Sequence, residues 1–246
     1  MANLDSPPGP REYLSSLRQH VREPIVSAIE RAQRERREVE AEREAFETFV
    51  DRVADLPTVS AVSTEPAPPA MLPRPRTGAD SETLRRVYRE TVMDVPHYEA
   101  VYDEPVTMNV RAELGPEVAS LFESTAATLS PTQQGAVLSA AREAATAREE
   151  FCDTLEAEVT SLRTGRDDLG AILDQLDSTT VPAWYSQQFR DELLSIITTR
   201  QTQLTERPLS SLDRHNLCEW LYGDGKETYP VLVAVARLLD CVTVRH

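Results

Sequence analysis

Lysine is almost missing: Lys226 is the only one among 26 Lys and Arg residues. Lysine is ordinarily among the commonest residues, and here arginine stands in for it beside 41 acidic side chains. The formal charge of −15 on 27.5 kDa works against a compact chain through self-repulsion in dilute buffer. At molar ionic strength the Debye length falls to ~3 Å and most of that repulsion vanishes. The composition therefore predicts a halophilic protein, part of an acidic proteome. A chain so acidic lacks the basic footprint of a nucleic-acid binder, and nucleic acid is disfavoured as a partner.

Glycine is also scarce at 8 residues, and aromatics make up only 6%. Little glycine with much Ala, Glu, Arg and Leu argues against a glycine-rich α/β sheet and for long helices. The three cysteines, Cys152, Cys218 and Cys241, are widely spaced and match neither a disulfide framework nor a zinc set. Residues 1–10 carry no basic n-region and no apolar centre, so they do not read as a signal peptide. No run approaches the ~18 apolar residues of a membrane span; the richest, 231–244, is interrupted by Arg237 and Asp240. The expectation is a cytoplasmic protein with no membrane span.

What the chain does have is helical periodicity. Residues 1–10 read as a disordered tail and 11–56 as one long coiled-coil helix. Its seam is Val21, Ile25, Ala28, Ala32, Glu35, Val39, Glu42, Phe46, Phe49, Val53 and Leu56, in alternating steps of four and three. Pro24 belongs in a first helical turn, so the continuous helix is expected to begin near it. Six prolines from Pro57 to Pro75 make 57–80 a linker. Residues 81–129 form a small helical head: Asp80 or Ser81 caps a helix through Val87 and Tyr88, and two short helices break at Gly115-Pro116.

Ser130-Pro131-Thr132-Gln133 is a capping box, with proline at the first helical position. From it a second seam runs Leu138, Ala141, Ala145, Arg148, Cys152, Leu155, Val159, Leu162, Arg166, Leu169, Leu173, Leu176. Gly165 and Gly170 invite a bend in it, and 177–182 reads as a turn. A third seam carries Trp184, Phe189, Leu193, Ile196, Arg200 and Leu204 and stops before Pro208. Residues 130–208 are thus an antiparallel helical hairpin. Residues 209–246 are a helix pair, the second member capped by Thr228, which packs back on the head. The fold class is all-α: an elongated hairpin or three-helix coiled coil with a small helical head. The spacing leaves open whether helix 21–56 packs within the chain or between chains.

Candidate chemistry is thin. His215 and Cys218 share a helix face, but two ligands do not make a metal site. His97, among Tyr98, Asp103 and Glu104, reads better as a packed corner histidine than as an acid–base group. The run from Gly223 to Thr228 surrounds the only lysine but follows no strand and lacks the first glycine of a phosphate loop. A helix–turn–helix over 211–243 would offer the groove far too apolar a second helix. Neither a catalytic residue, a metal nor a cofactor is expected. The richest aromatic grouping, Tyr88, His97, Tyr98, Tyr102, Trp220, Tyr222 and Tyr229, is the candidate head and interaction cluster.

Three segments carry a resemblance: 40–46 (EAEREAF), 87–98 (VYRETVMDVPHY), and 221–224 (LYGD) with 228–232 (TYPVL). In this order and separation they resemble a family of uncharacterised haloarchaeal proteins defined as a domain of unknown function. The resemblance implies a halophilic archaeal source and a helical fold, and supplies no reaction or ligand. The reading is a non-enzymatic coiled-coil scaffold that binds another protein or itself. The alternatives are a regulator working with nucleic acid or a signalling partner, and an enzyme.

Overall fold

A computed structural model describes residues 10–59, 78–102, 104–124, 128–178, 185–205 and 217–243. They are helical throughout: α1 (Pro10–Ala54), α2 (Ser81–Arg89), a 3-10 turn (Val92–Asp94), α3 (Tyr98–Val101), α4 (Val106–Glu123), α5 (Pro131–Ser178), α6 (Tyr185–Thr205), α7 (Leu217–Tyr222) and α8 (Pro230–Thr243). A single bridge, Asp80 to Thr128, is the extent of β-pairing among the described residues. The chain is all-α. It divides into two compact units, residues 37–152 and residues 1–36 with 153–246. The expected tail 1–10 and linker 57–80 fall largely on 1–9 and 60–77, outside the described residues.

In the 37–152 unit the seam of α1 does what its period implies. Phe46, Phe49 and Val53 are buried against Leu84, Val87 and Tyr88 of α2, Val110, Leu114 and Phe122 of α4, and Val137 and Ala141 of α5. Tyr88 meets the rings of Phe49 and Phe122 edge-on at 5.1 and 5.6 Å, contacts worth ~0.5–1.5 kcal/mol each beyond burial. Asp80 caps α2, accepting from the Thr83 amide at 2.8 Å. Gly115 (φ 84, ψ 166) kinks α4 just before Pro116, in a region open essentially to glycine alone. The capping box forms reciprocally: the Gln133 amide donates to Ser130 Oγ, and the Ser130 amide donates to Gln133 Oε1 at 3.0 Å. One turn on, Gln134 Nε2 donates to the carbonyls of Val53 (2.8 Å) and Leu56 (3.1 Å). The Val53 carbonyl also accepts from the Leu56 amide at 3.1 Å, so Gln134 adds a second donor there and one to the Leu56 carbonyl just past the end of α1. The start of α5 thus closes the end of α1, and the two helices run antiparallel.

Within the unit formed by 1–36 and 153–246, α1 and α5 run antiparallel, with Arg18 on Asp174 at 2.8 Å and Arg36 on Glu156 at 3.2 Å. The core gathers Val21, Ile25 and Ala32 of α1, Leu155, Leu162, Leu169 and Leu173 of α5, Phe189 and Leu193 of α6, Leu217 and Leu221 of α7, and Val235 and Leu238 of α8. α6 packs on α8; α7 and α8 therefore sit with α6, whereas the expected head, 81–129, belongs to the 37–152 unit.

Three local expectations are corrected here. α1 does not begin at Pro24 but passes through it. Pro24 has no N–H for the His20 carbonyl, and Arg237 of α8 supplies the donor, Nη1 to O at 2.7 Å. Neither Gly165 nor Gly170 breaks α5, which is continuous past Asp177. Gly165 instead serves a close approach, since a Cβ there would lie 3.1 Å from the Val231 side chain. Finally α8 opens on Pro230, with proline at the first position rather than with Thr228 as its cap.

Candidate functional site

All three seams carry charged residues where apolar ones belong, and the fold brings two of these, Glu42 and Arg148, together. Glu42 of α1 and Arg148 of α5 face each other inside the 37–152 unit, Nε to Oε2 at 2.8 Å, each with 14% of its side chain exposed. Arg148 also reaches Glu113 of α4 at 2.9 Å and lies 4.5 Å over the Phe46 ring. His97 Nε2 (2.9 Å) and the Tyr102 hydroxyl (2.8 Å) complete the shell around Glu42 Oε1. Burial works to raise the Glu42 carboxyl. The Arg148 charge and the hydrogen bonds from His97, Tyr102 and Arg148 outweigh it and hold the group below its ordinary range. A carboxylate only accepts, so His97 carries its proton on Nε2.

Beside this cluster a second chain of bonds runs from the Tyr88 hydroxyl to Asn109 Oδ1 (2.6 Å), and from Asn109 Nδ2 to Glu104 (2.8 Å). Burial, followed by the Glu113 charge, pushes the Tyr88 hydroxyl well above its usual range. It stays a donor.

The second cluster lies in the other unit. Arg200, at an apolar seam position of α6, makes a two-pronged pair with Glu158 of α5 at 2.6 and 2.9 Å. Their side chains are 4% and 1% exposed. Arg200 also donates to Ser161 Oγ at 2.7 Å and to Cys218 Sγ at 3.5 Å, and the Tyr222 hydroxyl reaches Glu158 at 3.4 Å. Burial opposes the guanidinium charge, but the Glu158 hydrogen bonds and charge outweigh it. Burial, with the Glu158 charge behind it, pushes the Cys218 thiol up to about 12 and the Tyr222 hydroxyl well up as well.

The predicted aromatic cluster divides between the units. Tyr88, His97, Tyr98 and Tyr102 lie in the 37–152 unit, with Tyr98 and Tyr102 at 5.4 Å between rings. Trp220, Tyr222 and Tyr229 lie in the other. Tyr88 and Tyr222 are core residues, and Trp220 is 47% exposed. His215 is outside the described residues, and among those described no group of three metal-ligating side chains is found. Sequence reasoning missed Glu42, Arg148, Glu158 and Arg200 as a structural theme. For three of them the signal was a charge standing on an apolar stripe; Glu158 lies off the stripe and gave none.

Both oxygens of Glu42 and of Glu158 are met by donors of their own unit, so the bonds tie α1 to α5 in one cluster and α5 to α6 in the other. No curated protein and no solved structure matches the chain. A family model described as a domain of unknown function (DUF7260) matches residues 23–246, and the chain belongs to that family.

Proposed function

We propose that the chain is a non-enzymatic helical scaffold of a halophilic archaeon, working in the cytoplasm by holding a protein partner or a second copy of itself. On this reading the antiparallel α1–α5 pair and α6 form a coiled-coil body. The observation that carries it is the saturation of the buried charges: Glu42 accepts from Arg148, His97 and Tyr102, and Glu158 from Arg200 and Tyr222. A base or nucleophile needs a free lone pair within reach of substrate, and these carboxylates spend theirs on neighbouring helices. Exposed apolar side chains, Met108, Leu194 and Trp220, supply contact chemistry of the kind that binding surfaces use.

Light scattering and cross-linking of the full chain in molar KCl test the reading, with affinity capture from a salt-grown host beside them. Self-association or a reproducible partner supports it; a monomer that captures nothing sinks it. The halophilic part is tested separately by circular dichroism during dilution into fresh buffer, where the helices should melt as repulsion grows.

A further inference from the structure

The inward seam of α6 has a counterpart on the solvent side of the same helix. Gln187, Asp191, Leu194, Thr198, Gln201 and Thr205 are all exposed and follow one another in alternating steps of four and three. That is the spacing of a coiled-coil seam. Charge is missing from most of it. Charged residues make up 27% of the chain, yet from Leu194 to Thr205 the only one is Arg200, which is buried on Glu158.

Threonine is a poorer helix former than glutamate, so contact with water alone does not account for Thr198, Thr202 and Thr205 on an open face. Their hydroxyls donate to carbonyls of their own helix: Thr198 to Leu194 at 3.0 Å, Thr202 to Thr198 at 3.0 Å and Thr205 to Gln201 at 2.6 Å. With those donors already bonded, the threonine side chains can lose water without orphaning a hydroxyl hydrogen. Leu194, 44% exposed, supplies an apolar centre. An apolar centre in surroundings depleted of charge is the composition of an interface core.

The stripe is also its own complement. Laid antiparallel on itself about a two-fold axis, it sets Leu194 against Thr198 of the second copy, Asp191 against Gln201 and Gln187 against Thr205, each pairing made twice. All six members find a mate in that one register. The Asp191 carboxylate, which accepts from Gln187 Nε2 at 3.0 Å, gains a second donor in the Gln201 amide of the other copy. The two Asp191 side chains stand roughly 15 Å apart along the axis, beyond the reach of a screened repulsion. Two chains of charge −15 meet at least cost where neither presents a cluster of carboxylates.

We infer that this outward face of α6 docks a second copy of the chain, α6 against α6 and antiparallel. The inference rests on the self-association branch of the scaffold reading. A single helix pair of this length falls at the small end of specific interfaces, below ~1,200 Å², so the dimer is concentration-dependent rather than obligate.

Sedimentation velocity of the full chain in molar KCl, over a concentration series, reads the dimer. Leu194→Glu with Thr198→Glu sets like charges against each other twice and should raise the dissociation constant at least about tenfold. Helicity should not change, since both positions are exposed. Val26→Glu, at an exposed position of α1, should dimerise as the parent does. Orientation is read by disulfide formation in a Cys241→Ala background, the other two cysteines being buried. Asp191→Cys mixed with Gln201→Cys should cross-link, and neither variant should do so alone. If the double glutamate variant loses helicity, the cysteine mixture alone decides. A chain that stays monomeric throughout overturns the α6 pairing and leaves the scaffold reading to its capture of another protein. A dimer that survives the two glutamates, or that cross-links in one cysteine variant alone, overturns the pairing while self-association stands.

Discussion

Replacing Arg148 by methionine keeps an unbranched apolar side chain while removing the guanidinium that lies over Phe46 and joins Glu42 to Glu113. Both carboxylates then lose a partner held at 2.8 and 2.9 Å. Breaking a buried pair from one side costs ~3–5 kcal/mol. Here His97 and Tyr102 still donate to Glu42, and the Glu113 side chain, 21% exposed, can turn to water. The lower end of the range, about 3 kcal/mol, is therefore expected. With a urea slope of ~2 kcal/mol/M for a domain of this size, the unfolding midpoint should fall by roughly 1.5 M. Glu42→Leu with Arg148→Met removes both charges of the closest pair, so the double variant should lose less than the two single losses added together. The coupling is expected to be about 2 kcal/mol. Circular dichroism in urea with molar KCl reads all four proteins. Single losses that simply add, or an Arg148→Met shift below about 0.3 M (~0.6 kcal/mol at that slope), would refute the idea that this pair joins α1 to α5.

The other predictions use the same physics elsewhere. Because the Glu42 carboxyl lies below its ordinary value of 4.5, its stabilisation should be fully present above that pH and fade as acid drives it toward protonation; Glu42→Gln should show a flatter acid limb in thermal melts. With Cys152 and Cys241 replaced by alanine, the Cys218 thiol, raised to about 12, should resist iodoacetamide at pH 8 in the folded protein and react on unfolding. Gly115→Ala should cost ~1–3 kcal/mol through backbone strain alone, since a methyl group there meets nothing within 4 Å. Gly170→Ala, in equally open space within α5, should instead stabilise by up to ~1 kcal/mol. Arg237→Met should cost about 1–3 kcal/mol, chiefly by taking the partner from the part-buried Glu227 carboxylate, since the His20 carbonyl lies at an exposed position where water can replace the donor. Urea midpoints check the last three.

Much of the architecture was legible because period and capping are local. The seam residues from Val21 to Val53 are buried apart from Glu35 and Glu42, and Leu155, Val159, Leu162 and Leu169 follow suit on α5. The capping box at Ser130 depends on four consecutive residues and formed as read. Pro24 and Gly165 were misread because their reasons lie far away in sequence. Arg237 supplies the donor that Pro24 removes, and Val231 fills the space that Gly165 leaves. The aromatic grouping relied on composition, which carries no contact information, so Tyr88 and Tyr222 turned out to anchor different cores. The charge clusters were visible only as imperfections. A lone Glu or Arg on an apolar stripe shows that a partner is needed without saying which one.

Paired across the two seams, those imperfections acquire a purpose that greasy residues cannot serve. Apolar stripes of similar width tolerate sliding by a heptad, because each knob finds another hole seven residues on. Shift α1 along α5 one way and Arg148 faces Phe49 while Glu42 faces Leu155. Shift it the other way and Arg148 meets Glu35, but Glu42 is left against Ala141. Leu155, Ala141 and Phe49 are all buried, so each slip strands at least one charge among apolar side chains at a cost of several kcal/mol. The observed register alone leaves neither Glu42 nor Arg148 without its mate. Molar salt would remove distant attractions and leave contact pairs in a dry seam nearly untouched. Glu42 and Arg148 are thus better understood as the marks that align two otherwise forgiving helices than as a source of net stability.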